Sequence, residues 1–246
     1  MKILIIRHGE PTSPADGITE KGEREVEILA KKIGKMDIKQ CYVSPLIRAQ
    51  KTAAPSLKAL GQADTAITCE WLREFAPRID RPDKMDSKVC WDWLPQDWTS
   101  RPYMYDRVGW REDPVLKAGK VPEEYDWVTE NFDKVLAQHG YERDGMLYKA
   151  VNPNNDTIAF FCHFGLQSVL LSHLMGISPV ILWHNTCALP SSVTTIFTEE
   201  RRPGIASFRM GSFGDLSHLY AADEPASFKV RFCECYMNED ERHDDY

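Results

Sequence analysis

Two short apolar segments constrain the fold of this chain most strongly. The predicted strands at residues 2–6 and 157–162 contain the continuous apolar runs 3–6 and 158–162, a pattern typical of strands that are buried on both faces. Between and after them lie stretches in which apolar residues recur with helical spacing. Strands that alternate with helices predict an α/β fold, here a three-layer α/β/α sandwich around a mostly parallel central sheet.

Capping residues and helix breakers locate the other elements. Thr19 is a candidate N-cap for a helix over residues 20–33, and Ser44 followed by Pro45 predicts the start of a helix that Pro55 kinks or ends. Further predicted helices cover residues 123–139 and 166–175. The other predicted strands cover residues 40–43 and 66–69, with a strand pair at 192–198 and 205–210.

Residues 77–122 break this alternation. Prolines and charges interrupt every period there, yet the segment is rich in aromatic residues: Trp91, Trp93, Trp98, Tyr103, Tyr105 and Trp110. Because disordered linkers are poor in aromatic residues, we interpret it as an ordered insertion in a single domain that spans residues 1–246. Two roles for this segment stay open: it packs over the edge of the sheet, or it clamps a ligand. The acidic tail at 238–246 is predicted to be solvated or frayed.

The overall charge and the absence of long apolar runs narrow the class of protein. The 246 residues have a net charge of −7, which disfavours nucleic acid as a partner. No apolar run approaches the ~20 residues of a membrane span, and residues 3–6 are too few for a signal peptide. We therefore expect a cytoplasmic protein without a membrane partner. Whether it is a monomer or a dimer stays open.

Four basic side chains follow the predicted strands. Arg7 and His8 follow the first strand, Arg48 lies in the first turn of the helix after the second, and His163 follows the strand at 157–162. Ligands of open α/β sheets gather at such strand ends. No acidic cluster lies at metal-ligand spacing, so we expect no metal and no cofactor. Guanidinium groups suit a phosphate monoester, and a neutral imidazole can attack it, which predicts a small phosphorylated substrate.

Four motifs carry a family resemblance. The sequences IIRHGE (5–10), ITEKG (18–22), SPLIRAQKTA (44–53) and FCHFG (161–165) resemble those of the histidine phosphatase superfamily, in its phosphoglycerate mutase-like branch. The resemblance covers about residues 1–75 and 155–210. It implies an enzyme in which His8 becomes phosphorylated, while Arg7, Arg48 and a protonated His163 bind the phosphoryl group.

The resemblance also implies a general acid shortly after the third strand. Glu74 matches this position best, and Glu70 is its competitor. The general acid would protonate the leaving oxygen and afterwards take a proton from the attacking water.

The sequence departs from the family pattern at several places. The loop after His8 lacks the asparagine that often binds phosphate, and Thr12 or Ser13 is the candidate replacement. Phe164 stands where small residues are common. The long tryptophan-containing signature of the mutases is missing, so a phosphatase is favoured over a phosphoglycerate-type mutase. A catalytically silent phospholigand-binding protein is the third possibility. Two other histidines are interpreted as structural, His184 and His218.

Overall fold

A computed structural model of the protein describes residues 1–13, 16–83, 88–227 and 234–240. Across this part of the chain, eight strands form one sheet in the order β3-β2-β6-β1-β7-β8-β5-β4. The strands are β1 (Lys2–Arg7), β2 (Gln40–Val43), β3 (Ile67–Thr68), β4 (Tyr141–Asp144), β5 (Leu147–Ala150), β6 (Thr157–Cys162), β7 (Val193–Arg202) and β8 (Ile205–Asp215).

Helices flank this sheet. They are α1 (Glu20–Ile33), α2 (Ile47–Leu60), α3 (Pro95–Thr99), α4 (Pro114–Ala118), α5 (Val121–Gln138), α6 (Phe164–Met175), α7 (Pro179–Asn185) and α8 (Ser217–Ala221). Short 3-10 turns occupy Glu70–Leu72, Pro102–Tyr105 and Gly109–Glu112. The α/β class predicted from the alternating elements is therefore confirmed.

The prediction of a mostly parallel sheet is wrong, because the sheet is mixed. β1, β2, β3 and β6 pair in parallel, whereas β7 pairs antiparallel with β1 and β8, and β5 pairs antiparallel with β4 and β8. Pro203–Gly204 and Gly145–Met146 are two-residue connections, and connections this short can join only antiparallel neighbours. Gly204 and Gly145 have φ values of 80° and 59°, which glycine adopts without strain.

Hydrophobic clusters lie on both faces of the sheet, and β1 contributes to each. Ile3 and Ile5 belong to the cluster that includes the buried residues of α5 and α6, while Leu4 and Ile6 belong to the cluster with α1 and α2. Alternate strand residues point to opposite faces, so a continuous apolar run is what a strand covered on both sides requires. Residue 8 therefore follows a strand that is fixed from above and below.

Several element boundaries differ from the predictions. α1 and β2 have the predicted limits, and Thr19 accepts a hydrogen bond from the amide of Gly22, as an N-cap does. α2 begins two residues later than expected, at Ile47. The Ser44 hydroxyl accepts from the amide of Leu46, the residue before the helix, and also contacts His163. α2 also continues through Pro55 to Leu60. The β4–β5 hairpin and α7 were not predicted.

The segment at 77–122 contains short helices and 3-10 turns in the part that the structure describes. Trp93, Trp98 and Trp110 are buried, whereas Tyr103 and Tyr105 are exposed. Residues 84–87 of this segment and residues 241–246 of the acidic tail lie outside the described residues. No helix in the described ranges is both long and apolar enough to cross a membrane.

Candidate active site

The parallel pairing of β1 and β6 brings the two candidate histidines together. Arg7 pairs with Cys162 in this register, so His8 and His163 leave neighbouring strands at the same edge of the sheet. The His8 amide donates to the Cys162 carbonyl across 3.1 Å. The two imidazole rings lie 5.2 Å apart between centroids, at an angle of 53°. Both rings are buried, with His8 3% and His163 0% exposed.

Hydrogen bonding fixes the tautomer of His8. Its Nδ1 lies 2.8 Å from the carbonyl oxygen of Gly9, and because a carbonyl can only accept, Nδ1 carries the proton. Burial, followed by the charges of Arg7 and Arg48, lowers the pKa of His8 well below its ordinary value. The ring is therefore neutral at pH 7, and Nε2 retains its lone pair. This is the form in which an imidazole is a nucleophile.

His163 contacts a hydroxyl that the sequence analysis assigned to a helix cap. Its Nε2 lies 2.7 Å from the Ser44 Oγ, and its buried Nδ1 has no hydrogen-bond partner among the described residues. Burial, and after it the neighbouring His8, Arg48 and Arg7, lowers the pKa of His163 well below its ordinary value. Burial and these neighbours disfavour the imidazolium in the protein without a bound anion, and a protonated His163 beside the phosphoryl group stays a prediction.

Arg7, the last residue of β1, is also buried. Its Nη1 donates to the carbonyl of Ala188, and its guanidinium carbon lies 5.6 Å from the ring centroid of Phe164. The buried Nε has no partner among the residues that the structure describes. Burial lowers the pKa of Arg7 and the charge of Glu74 opposes this effect. Arg7 thus brings a permanent cation into a region of low polarity.

Arg48 lies in the first turn of α2, where it meets a carboxylate that the sequence analysis did not single out. Asp16 Oδ1 lies 2.8 Å from Arg48 Nη1, and Asp16 Oδ2 accepts a 2.8 Å hydrogen bond from the Ile47 amide. A helix N-terminus and a guanidinium together form a favourable place for an anion. In this structure the side chain of Asp16 occupies that place.

Glu74 reaches this edge of the sheet, whereas Glu70 does not. Glu74 Oε1 accepts hydrogen bonds from the amides of Phe75 (2.8 Å) and Leu166 (3.1 Å), the latter in the first turn of α6. Burial raises the pKa of Glu74, although Arg48 and Arg7 act in the opposite direction. Glu70 is exposed, at the start of a 3-10 turn. The geometry thus favours Glu74 over Glu70 as the proton donor.

The sequence profile of the histidine phosphatase superfamily (branch 1) matches residues 3–210. The chain belongs to the histidine phosphatase superfamily. The match extends across the insertion and both histidine motifs. No curated protein is significantly similar in sequence.

Solved phosphatases share the fold of this superfamily member. A mutant phosphoserine phosphatase from Entamoeba histolytica, in complex with phosphoserine, has 19% identity and a TM-score of 0.57, with 89% of this chain and 98% of that chain covered. The same phosphatase in complex with 3-phosphoglyceric acid has 18% identity and a TM-score of 0.55, with 89% and 98% covered. The mycobacterial glucosyl-3-phosphoglycerate phosphatase has 16% identity and a TM-score of 0.53, with 87% and 98% covered.

Trp91 brings the insertion to the candidate active site of this histidine phosphatase. Its Nε1 donates to the Phe75 carbonyl across 2.6 Å, and its ring meets Phe164 edge-on, with centroids 6.1 Å apart. A Cβ atom on Gly165 would lie 2.6 Å from Trp91 Nε1 and 2.9 Å from Glu74 Oε1. Only glycine at this position allows Trp91 and Glu74 to pack so closely against α6.

His184 and His218 have structural partners. His184 Nδ1 donates to the Val180 carbonyl across 2.8 Å, while Nε2 accepts from the Trp93 amide across 3.1 Å, so this ring ties the insertion to α7. His218 Nε2 lies 3.1 Å from the Ser191 hydroxyl. Burial lowers the pKa of both to about 4, so both rings are neutral.

The loop after His8 contains the two residues that are candidates to replace the asparagine of the family pattern, Thr12 and Ser13. The Thr12 amide donates to the Gly17 carbonyl, and the role of Thr12 or Ser13 toward phosphate stays a prediction.

Over the described ranges, no group of three or more His, Cys, Asp or Glu side chains is arranged to hold a metal ion. The donor set beside His8 consists of guanidinium and imidazole groups, which suit an anion.

Proposed function

We propose that this protein hydrolyses a small phosphate monoester, without a metal ion, through a phosphohistidine intermediate on His8. The observation that carries the proposal is the hydrogen bond from His8 Nδ1 to the Gly9 carbonyl. It leaves Nε2 unprotonated in a ring whose pKa is lowered by burial and by two arginines. Membership of the superfamily and the phosphatases among the solved structures support it.

The first step transfers the phosphoryl group. His8 Nε2 forms a bond to phosphorus while the bond from phosphorus to the ester oxygen breaks. Arg7, Arg48 and His163 bind the three equatorial oxygens, where charge accumulates. A dianion beside His163 offsets the charges that lower its pKa, so substrate binding favours its protonated form. Glu74 donates its proton to the leaving oxygen, a role that its raised pKa supports.

The second step regenerates the enzyme. Water forms a bond to phosphorus, the bond between phosphorus and His8 Nε2 breaks, and the Glu74 carboxylate takes the proton of the water. Inorganic phosphate and the alcohol are then the products.

An unpartnered donor near His8 also supports phosphate binding. Buried donors normally have hydrogen-bond partners, and Arg7 Nε has none in the described protein. The oxygen atoms of a bound phosphate can accept from such donors.

The insertion shapes the part of the site that meets the leaving group. Trp91 and Phe164 form an aromatic wall beside Glu74, the residue that protonates the leaving oxygen. Aromatic walls are common in sites for small organic molecules. We infer that this wall selects the alcohol portion of the ester, while the arginines and histidines bind the phosphoryl group common to all substrates.

The test is hydrolysis of a panel of phosphate monoesters in the presence of EDTA. We expect activity in the wild-type protein, its loss in His8→Ala, and its retention in His139→Gln, whose imidazole contacts Tyr42 instead of the site. Rapid quenching should trap an acid-labile phosphoprotein only where His8 is present. Full activity of His8→Ala would refute the proposal. Net isomerisation of a phosphoglycerate faster than phosphate release would indicate the mutase, and neither turnover nor phosphoprotein would indicate a silent binding protein.

A further inference from the structure

A second cluster of arginines surrounds a cavity at the far end of α6. The cavity has a volume of about 460 Å³. Its wall includes Arg107 and Arg111 from the insertion, Arg143 beside the β4–β5 turn, and Gly176 just after α6. His163 precedes the other end of α6, and a helix of twelve residues is roughly 18 Å long. The cavity is therefore separate from the candidate active site.

Two of these three guanidinium groups have no acidic partner. Within the described ranges, no carboxylate forms a salt bridge with Arg107 or Arg143, whereas Arg111 is paired with Asp126 at 2.6 and 3.0 Å. Arg107 Nη1 contacts the sulfur of Met146. Arg143 donates to the carbonyls of Gly145 and His173 and to the hydroxyl of Tyr148, which in turn donates to Asp133. The cavity is thus locally positive in a chain whose net charge is −7.

The remaining lining groups define what else the cavity can contact. Tyr125 and Ser172 contribute hydroxyl groups that lie 3.0 Å from each other, and His173 is paired with Asp133 at 2.9 Å. Val108, Met146 and Ile177 contribute apolar surface. A cavity of this size and composition is within the range of sites for small organic molecules. None of the groups that line it is a carboxylate.

We propose that this cavity is a second ligand site, which binds a small organic dianion. Two guanidinium forks without acidic partners match two negative charges, and the apolar wall matches a short carbon skeleton. Both phosphate monoesters and dicarboxylates have this chemistry. Because Arg107 belongs to the insertion and Arg143 to the hairpin, the bound dianion joins two segments that are remote in sequence. The inference is independent of the proposed catalytic activity.

Calorimetric titration in phosphate-free buffer tests the proposed second ligand site, with inorganic pyrophosphate and succinate as separate probes. Wild-type protein should bind two equivalents of pyrophosphate, one at each site. Arg48→Ala should lose the active-site equivalent, and Arg107→Glu should weaken the other at least tenfold. Arg202→Glu, the matched charge reversal at an exposed residue on β7, should weaken neither. If succinate binds and Arg107→Glu abolishes this binding, the site accepts dicarboxylates; if only the pyrophosphate titration changes, it requires phosphate.

Hydrolysis of the preferred phosphate monoester provides the check on folding. Arg107→Glu should retain wild-type turnover, because Arg107 does not contact the candidate active site. Arg107→Gln provides the same comparison if the charge reversal prevents folding. The proposal would be overturned if a folded Arg107 variant gave the same titrations as the wild-type protein. It would also be overturned if the wild-type protein bound a single equivalent of pyrophosphate and Arg48→Ala removed it. Either result leaves the catalytic proposal intact.

Discussion

The carboxylate of Asp16 forms a salt bridge with Arg48, with 2.8 Å between Oδ1 and Nη1. Its other oxygen accepts from the Ile47 amide at the start of α2. In the proposed mechanism a phosphate oxygen binds the same donors, so the substrate must displace the Asp16 carboxylate before it can use Arg48 fully.

Replacement of this carboxylate should therefore strengthen phosphate binding. A partly exposed salt bridge contributes up to about 1 kcal/mol, so Asp16→Asn should lower the inhibition constant of inorganic phosphate by up to about fivefold. The measurement is competitive inhibition of hydrolysis. Asp37→Asn, which removes the same charge from an exposed position, should leave the constant unchanged. Weaker inhibition in Asp16→Asn would instead show that Asp16 holds Arg48 in its binding position.

The two candidate acids can be separated by the leaving group. Glu74→Gln preserves the shape of the side chain but removes the proton that a poor leaving group needs. For an alkyl phosphate, kcat should fall by about 10²–10⁴, and for a dinitrophenyl phosphate by less than about tenfold. Glu70→Gln is the matched control and should match the wild-type protein with both substrates. Equal losses for both esters in Glu74→Gln would argue against its role as the acid.

Trp91→Ala should change substrate preference without changing phosphate recognition. Loss of an aromatic contact costs about 0.5–1.5 kcal/mol, which corresponds to a change of up to about tenfold in the ratio of kcat/KM between aryl and small alkyl phosphates. Inhibition by inorganic phosphate should stay the same. Tyr105→Ala removes an exposed aromatic ring from the same segment and should have no effect on the ratio. If both variants keep the wild-type ratio, the aromatic wall does not select the leaving group.

Two histidines with lowered pKa values predict that acid destabilises the fold. His184 and His218 are neutral in the folded protein, with pKa values of about 4, against an ordinary value of 6.5. Below pH 6.5 the unfolded chain binds more protons, so the free energy of unfolding falls as the pH decreases, by up to about 1.4 kcal/mol per pH unit for each ring. Denaturant unfolding between pH 6 and 5 should show this slope. His184→Gln should reduce the slope by up to about 1.4 kcal/mol per pH unit, and an unchanged slope would contradict the assignment.

Local patterns predicted the elements that surround the site. Residues 157–162 form β6 with the predicted limits, because a continuous apolar run is buried on both faces. The β4–β5 hairpin was missed, since its short strands carry charged residues such as Glu142 and Lys149 and lack a clear apolar alternation. Its antiparallel pairing, together with that of β7 and β8, is why the expected parallel sheet is wrong.

The residues of the candidate site could be predicted from the sequence, but the contacts between them could not. The motifs indicated His8 as the nucleophile and Arg7, Arg48 and His163 as phosphate-binding residues, and the structure brings their segments to one edge of the sheet. The contact of Ser44 with His163 joins residues 119 positions apart, so no local pattern could indicate it. The contact of Asp16 with Arg48 crosses 32 positions in the same way. The Ser44 hydroxyl contacts the Leu46 amide before α2, as a local pattern can indicate, and the tertiary structure adds its contact with His163.

The position of Trp91 has a consequence for how changes in the insertion would act. Within the described chain, residues 77–122 add an aromatic wall to the site but none of the five groups to which we assign the phosphoryl chemistry. Glu74 lies just before this segment, Arg7 ends β1, and the other three follow strands that both hydrophobic clusters hold in place. Under the proposed mechanism, a change in the length or composition of this segment would alter the part of the site that meets the leaving group and leave in place the five groups that transfer the phosphoryl group.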